Sequence, residues 1–490
     1  MHTSYNLYLR IFGGAENYPD RLALTMPGKS FTYGQLQERV AQAAAAFSMN
    51  GIDRRVCVAL DTRKSLPALT AALALSFLGC KWLFASREAL NNPLLFITHI
   101  VQDGPHHLNS RYKIVTMDEA WHSGDVPAAA PAHQVRPYAN GPDDILVICQ
   151  SSGTTGDAKF FPITAETAIR RLDPKYLLDP SPLPVVASMF NVAHAGIYLV
   201  TLRALAKGGT LVFGTDQGHW REAGVTLVLA SQMHLAQLFE KWGGGRFARV
   251  WLAGSPLHPA FLDRALNHFE EVLNAYGAGE AGIVCYLPLR NRVPEGETIS
   301  VGTALDGIVV EVVDDTGKPV KEGDTGEIRY RSPLLATGYI GDSAATRVSF
   351  RDGWFHPGDT GYFNSRKELF ITGRVNDLVN IGGTKLNAAA IDGIIQSIPG
   401  IGDGACFTEP GPLGFDQLSI VVVAMSAESR EKIAGELLKK LTARFRSRLL
   451  PASIYFAEAI PRNDNGKVLR GMARKKAKSG DWRQVTPAKD

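Results

Sequence analysis

Cysteine is scarce: the 490 residues hold five, Cys57, Cys80, Cys149, Cys285 and Cys406, odd in number and far apart. None stands at the short spacing of a zinc-ligand pair, and the set makes no disulfide framework, so structural zinc is not expected and a reducing compartment is. Net charge is slight as well. A formal +4 over this length lacks the footprint of a nucleic-acid binder, and the run RGMARKKAK at 470–478 reads as a solvated face. The first residues, MHTSYNLYLRIFGGAENYPD, have no apolar core of the signal-peptide kind. The longest apolar run, LPALTAALALSFLGCKWLFA, contains Pro67, Gly79 and Lys81 and reads as a buried helix followed by a strand. The expectation is a soluble, cytoplasmic protein with no membrane span and no nucleic-acid partner.

Two common phosphate-binding patterns are missing too. In SSGTTGDAKFFPIT at 151–164, Gly153 and Gly156 stand too close together for a Walker loop, and Lys159 follows three residues later. Thr154 and Thr155 fill the space between only two glycines, so the dinucleotide fingerprint fails as well. What is present is a loop of hydroxyls, backbone amides and one ammonium, which suits a phosphate group. The apolar run DDILVICQ before it reads as a buried strand, so the loop leaves a strand end, where α/β sheets place their sites. A glycine-rich surface turn is the plain alternative for this stretch alone.

With 45% hydrophobic residues and 20% charged, the chain is globular, and its length exceeds one ordinary core. From about residue 20 to 260, short apolar strands (RVCVAL, TLVFG, VTLVLA, RVWLAG) alternate with helical stretches such as TYGQLQERVAQAAAAFSMNG, the rhythm of parallel α/β layers. Between roughly 300 and 370, GIVVEVVDDTGKPVKEGDTGEIRYRSP shows strands parted by Asp, Gly and Pro turns, which indicates a small antiparallel barrel or sheet. A final α+β unit follows. It contains the helical AAAIDGIIQSI and REKIAGELLKKLTARFRSRL and the strand LSIVVVAM. The fold class expected is α/β: a large multi-layer N-terminal domain with a small β-barrel, and a smaller, mobile α+β C-terminal domain.

The loop has companions in a fixed order: NAYGAGE at 274–280, GWFHPGDTGYF at 353–363, TGRVNDLVNIGGTKLNAAAID at 372–392 and IPRNDNGKVLR at 460–470. Together they resemble the core motifs of the adenylate-forming superfamily, which includes acyl-CoA synthetases, adenylation domains and luciferases. The resemblance runs from FTYGQLQERVAQAAAAF to the last lysine motif and implies domains at 1–373 and 374–490. It also implies a reaction: a carboxylate attacks the α-phosphate of ATP, releasing pyrophosphate, and a thiol then attacks the acyl adenylate.

The resemblance assigns roles to residues. Ser151, Ser152, Gly153, Thr154, Thr155, Gly156 and Lys159 are expected on the β- and γ-phosphates. Glu280 is expected to hold Mg²⁺ and to act in catalysis, with Tyr276 on adenine and Asn274, Gly277 and Ser255 beside the nucleotide. Asp359 is expected on both ribose hydroxyls, and Arg374 on ribose or phosphate at the start of the last domain. Lys467, presented just beyond the Asn465-Gly466 turn, is the expected catalytic lysine on the carboxylate and α-phosphate. Asn376 is the expected hinge, and Gly382 and Gly383 line the expected thiol channel.

Departures from the family pattern are Gly279 for threonine, Ala158 for proline, Phe160 for glycine, and the loss of a glutamate around Ala390 and Asp392. In SMFNVAHAGIYLV the acid pocket is expected to involve Phe190, Asn191 and His194, with Gly254 and Ser255. No carboxylate stands there to meet a substrate ammonium, so an aryl or short-to-medium acyl acid is expected rather than an α-amino acid. The acceptor thiol, CoA or the phosphopantetheine arm of a carrier protein, stays open at this stage. A P-loop NTPase and an inactive ligand-binding homologue are the alternatives of another class.

Overall fold

The computed structural model describes residues 5–62, 64–104, 111–117, 135–151, 158–190, 195–254, 256–294, 298–375, 378–381, 384–410, 416–425, 430–445, 451–462 and 468–485. The chain divides into two compact units: Met1–Val310 with Tyr330–Phe355, and Glu311–Arg329 with His356–Asp490.

The first unit is built on two sheets. One has six strands in the order Lys113–Thr116, Ile97–Gln102, Cys57–Asp61, Lys81–Phe84, Ile145–Ser151 and Lys159–Thr164. All of its pairings are parallel except the last, Ile145–Ser151 with Lys159–Thr164. The other has nine strands, with a parallel centre formed by Phe269–Ala278, Phe247–Leu252, Leu227–Ala230, Val185–Ser188, Thr210–Val212 and Leu22–Met26 and antiparallel edges. Buried on both faces, such strands read as continuous apolar runs in the sequence.

The helices form where the sequence marks their starts. Thr32 accepts from the Gln35 amide while the Gln35 side chain accepts from the Thr32 amide, a capping box that opens Tyr33–Met49. Helix Ser65–Phe77 is buried from Leu66 onward and leads to the strand Lys81–Phe84, so the long apolar run lies inside the unit. Among the described residues, no helix is long and apolar enough to cross a membrane.

In the second unit, Gly326 and Glu327 pair with Gly361 and Thr360 of strand Asp359–Phe363, which pairs with Leu369–Arg374, all antiparallel. A four-stranded sheet follows, of Ile401–Pro410, Asp416–Ala424, Ser453–Phe456 and Arg483–Val485. Strand alternation divides its core. Cys406, Ile420, Val422 and Ile454 pack on helices Ala388–Gln396 and Arg430–Phe445, while Ala405, Phe407, Val421 and Tyr455 pack with Ala473 and Ala477 of helix Arg470–Ser479.

Candidate active site

Strand Ile145–Ser151 ends at the hydroxyl-rich loop and Lys159–Thr164 returns beside it, so Ser151 and Lys159 are register partners at the two roots. Ser151 Oγ donates to the Lys159 carbonyl at 3.4 Å. Ser152, Gly153, Thr154, Thr155 and Gly156 lie outside the described residues.

From its root, Lys159 reaches a residue with no part in the sequence-based expectation. Its Nζ stands 5.1 Å from the ring centroid of Tyr339, and the Tyr339 hydroxyl donates to Glu280 Oε1 at 2.9 Å. Burial, first, and then the neighbouring Glu280 raise the Tyr339 phenol above its ordinary range, so it keeps its proton and stays a donor. One tyrosine thus joins the lysine of the loop to the glutamate of NAYGAGE.

The glutamate motif is held from behind. Gly277 sits at a bulge after Tyr276, where a Cβ would lie 2.0 Å from the Gly282 carbonyl, so no side chain fits there. Arg171, buried, donates to the carbonyls of Gly279 (2.9 Å), Glu280 (2.7 Å) and Leu334 (2.7 and 2.9 Å). Its own carbonyl accepts from Arg203 at 2.6 Å. Burial pushes both guanidinium groups down, that of Arg203 to about 9. In AETAIRRLD nothing distinguishes Arg171 from an exposed helix arginine; only its interior carbonyl partners reveal it. Asn274, 3% exposed, donates Nδ2–H to the Ser300 carbonyl at 2.9 Å, a bracing contact within the unit. Tyr276 is half-buried on the same strand.

In the second unit, Asp359 and Arg374 are register partners, and Arg374 Nε lies 2.9 Å from Asp359 Oδ1. Asn376, Gly382, Gly383 and Lys467 lie outside the described residues. The flanks of 463–467 are pinned: Arg462 pairs with Asp403 at 2.6 Å, Arg470 pairs with Asp392 at 2.6 Å, and the Leu469 amide donates to the Pro461 carbonyl. Asp392, near the lost family glutamate, therefore has a partner beside the lysine motif.

For the acid, the described residues bring Phe190 edge-on to His234 (centroids 5.0 Å) and 6.4 Å from Trp251, near the carboxyl ends of parallel strands. Gly254 has φ +94°, with open space where a Cβ would stand. Asn191, His194 and Ser255 lie outside the described residues.

Among the described residues there is no group of three or more His, Cys, Asp or Glu side chains able to hold a metal. A single buried carboxylate, Glu280, still fits Mg²⁺, an ion usually held by one or two carboxylates, substrate phosphates and water rather than by a protein cage.

Parallel strands ending at a hydroxyl-rich segment, with a braced, buried glutamate in the same unit, are the setting in which α/β folds bind ligands. The chain belongs to the AMP-binding enzyme family, which matches residues 12–340. It is 26% identical to an indoleacetate–CoA ligase of Aromatoleum aromaticum over 92% of this chain and 94% of that one. It is 27% identical to a fatty acid–acyl-carrier-protein ligase of Streptomyces coeruleorubidus, over 56% of this chain and 53% of that one. Its fold is similar to that of o-succinylbenzoate CoA synthetase from Bacillus subtilis, with a TM-score of 0.83 at 19% identity over 95% and 97% of the two chains.

Proposed function

We propose that the protein is an acid–thiol ligase that activates a carboxylic acid with ATP and passes the acyl group to CoA. The observation that carries this reading is the chain of Lys159, Tyr339 and Glu280, which places an ammonium and a buried carboxylate at the root of a hydroxyl-rich loop. In the first half-reaction a carboxylate oxygen bonds to the α-phosphorus and the bond to the pyrophosphate oxygen breaks. Lys159 and the hydroxyls and amides of 151–156 hold the leaving phosphates. Glu280 holds Mg²⁺, which supplies charge neutralisation on the phosphates when bound, and Tyr339 fixes the orientation of that carboxylate. Asn274, Tyr276, Gly277 and Ser255 border the nucleotide, and Asp359 takes the ribose hydroxyls with Arg374 beside it. Lys467 neutralises the carboxylate and α-phosphate as they meet. In the second half-reaction a thiol adds to the acyl carbonyl and AMP leaves, giving a thioester.

Residues 374–490 act as a lid that turns about Asn376 between the two steps, opening a thiol path beside Gly382 and Gly383. The acid is an aryl or short-to-medium acyl acid, bordered by Phe190, Asn191, His194, Gly254 and Ser255, and the reaction is cytoplasmic. Similarity to a carrier-protein ligase favours a second reading of the acceptor, a phosphopantetheine thiol. The test is pyrophosphate release across a panel of acids, repeated with CoA and with a loaded carrier protein. Acid-dependent release and thioester formation support the ligase. ATP binding without acid-dependent exchange would make it a binding protein, and acid-independent phosphate release an NTPase. Lys467→Ala is expected to stop adenylation and spare thiol transfer from a supplied acyl adenylate.

A further inference from the structure

Trp251 lies on strand Phe247–Leu252 between Leu229 and Leu273 of the neighbouring strands. Val250 and Leu252 pack into the core cluster, so alternation turns Trp251 to the opposite face, where Phe190 meets it. It is 5% exposed, and its indole Nε1 has no hydrogen-bond partner. Three other indoles among the described residues are paired: Trp82 with Ser76 Oγ at 3.3 Å, Trp220 with the Gly214 carbonyl at 3.0 Å and Trp242 with the Gly245 carbonyl at 3.0 Å. Further back on the same face, Arg249 is also paired, with Glu271 at 2.9 Å and Asp179 at 3.5 Å.

A buried donor left unmade carries a desolvation cost that an acceptor oxygen of a ligand would relieve. A water needs about two to four polar partners, and the described neighbours of this indole are the Phe190 ring and the strand partners Leu229 and Leu273. Two residues beyond Leu252 the chain turns at Gly254, with open space beside it. The donor therefore stands at a strand end, next to the aromatic side chain already expected to border the acid.

We infer that Trp251 Nε1–H donates to an acceptor oxygen on the acyl body of the substrate, so the acid has an apolar frame against Phe190 and carries an oxygen besides its carboxylate. This rests on the acid-activating reading above. A plain hydrocarbon acid leaves the indole unpaired and is discriminated against, because a site built around a hydrogen bond rejects the analogue that lacks it.

Matched pairs test it: benzoate with para-hydroxybenzoate, phenylacetate with para-methoxyphenylacetate, and valerate with levulinate, each scored by kcat/KM for pyrophosphate release. The wild type is expected to favour the oxygen-bearing member of at least one pair by about tenfold, the scale of one net hydrogen bond. Trp251→Phe is expected to bring that ratio within about threefold, through a larger loss for the oxygen-bearing member than for the hydrocarbon one. Wild-type ratios near one in every pair overturn the inference without any variant. So does an unchanged ratio in Trp251→Phe or, should that variant fold poorly, in Trp251→Leu, and so does an equal loss for both members. Those outcomes leave acid activation standing, whereas no release with any acid removes the ligase reading and this inference with it.

Discussion

Glu280 in the first unit and Asp359 in the second are equally buried, each 7% exposed, yet the chain gives them opposite partners. Glu280 accepts from a neutral phenol at 2.9 Å, and the Arg171 guanidinium behind it is directed at main-chain carbonyls. Asp359 faces a guanidinium directly, Arg374 at 2.9 Å. A phenol orients a carboxylate without cancelling its charge, which suits a group that must receive a cation. A guanidinium cancels the charge and fixes the oxygens, which suits an acceptor of neutral hydroxyls. The proposed roles, Mg²⁺ for one and ribose for the other, follow this difference in partner rather than any difference in burial.

Removing each charge sharpens the contrast. Glu280→Gln has the largest expected effect: adenylation falls by roughly a hundredfold or more, the scale for a lost electrostatic contact in an active site, and the half-saturating Mg²⁺ concentration rises. Asp359→Asn is expected to raise KM for ATP by roughly tenfold and to leave the Mg²⁺ response unchanged. Magnesium titrations of pyrophosphate release at saturating ATP separate the two. Equal Mg²⁺ shifts in both variants break the comparison.

Tyr339→Phe is a smaller change. It removes the hydrogen bond to Glu280 and keeps the ring beneath Lys159, so half-saturating Mg²⁺ is expected to move by about threefold to tenfold. Tyr339→Leu also removes the cation–π contact and is expected to raise KM for ATP as well. If both variants only lower Tm, with the Mg²⁺ response unmoved, Tyr339 is a packing residue and not a positioning one.

Much of the frame was legible. The stretch TYGQLQERVAQAAAAFSMNG read as a helix and the apolar 66–85 run as helix then strand, as found. The braces were not legible. Tyr339 lies 59 residues from Glu280 in sequence, and Arg171 is 163 from Leu334, so no local pattern links them. Only the approach of distant segments creates those contacts. The Asn274 amide likewise donates to the Ser300 carbonyl, a partner 26 residues away.

The finest contrast lies one residue before each carboxylate, where the chain has glycine for different reasons. Gly358 adopts φ +78° and has nothing within 4 Å of a notional Cβ, so backbone conformation alone demands it. Gly279 shows no such φ, but a Cβ there would stand 3.3 Å from Phe161 Cζ, and Phe161 is 1% exposed, so any side chain needs that ring to give by a few tenths of an ångström. Gly358→Ala is expected to cost about 1–2 kcal/mol, the penalty of a left-handed alanine, and Gly358→Asn less, since asparagine visits that region more readily. Gly279→Thr, which installs the family residue, is expected to cost about 1 kcal/mol through overpacking, and Phe161→Leu should offset part of that cost. Thermal unfolding of the two single variants and the double variant measures the coupling, expected at about 0.5 kcal/mol or more for residues in contact. Strict additivity would mean that Phe161 does not limit position 279. Phe161→Leu should leave the cost of Gly358→Ala unchanged, because nothing near Gly358 has to move.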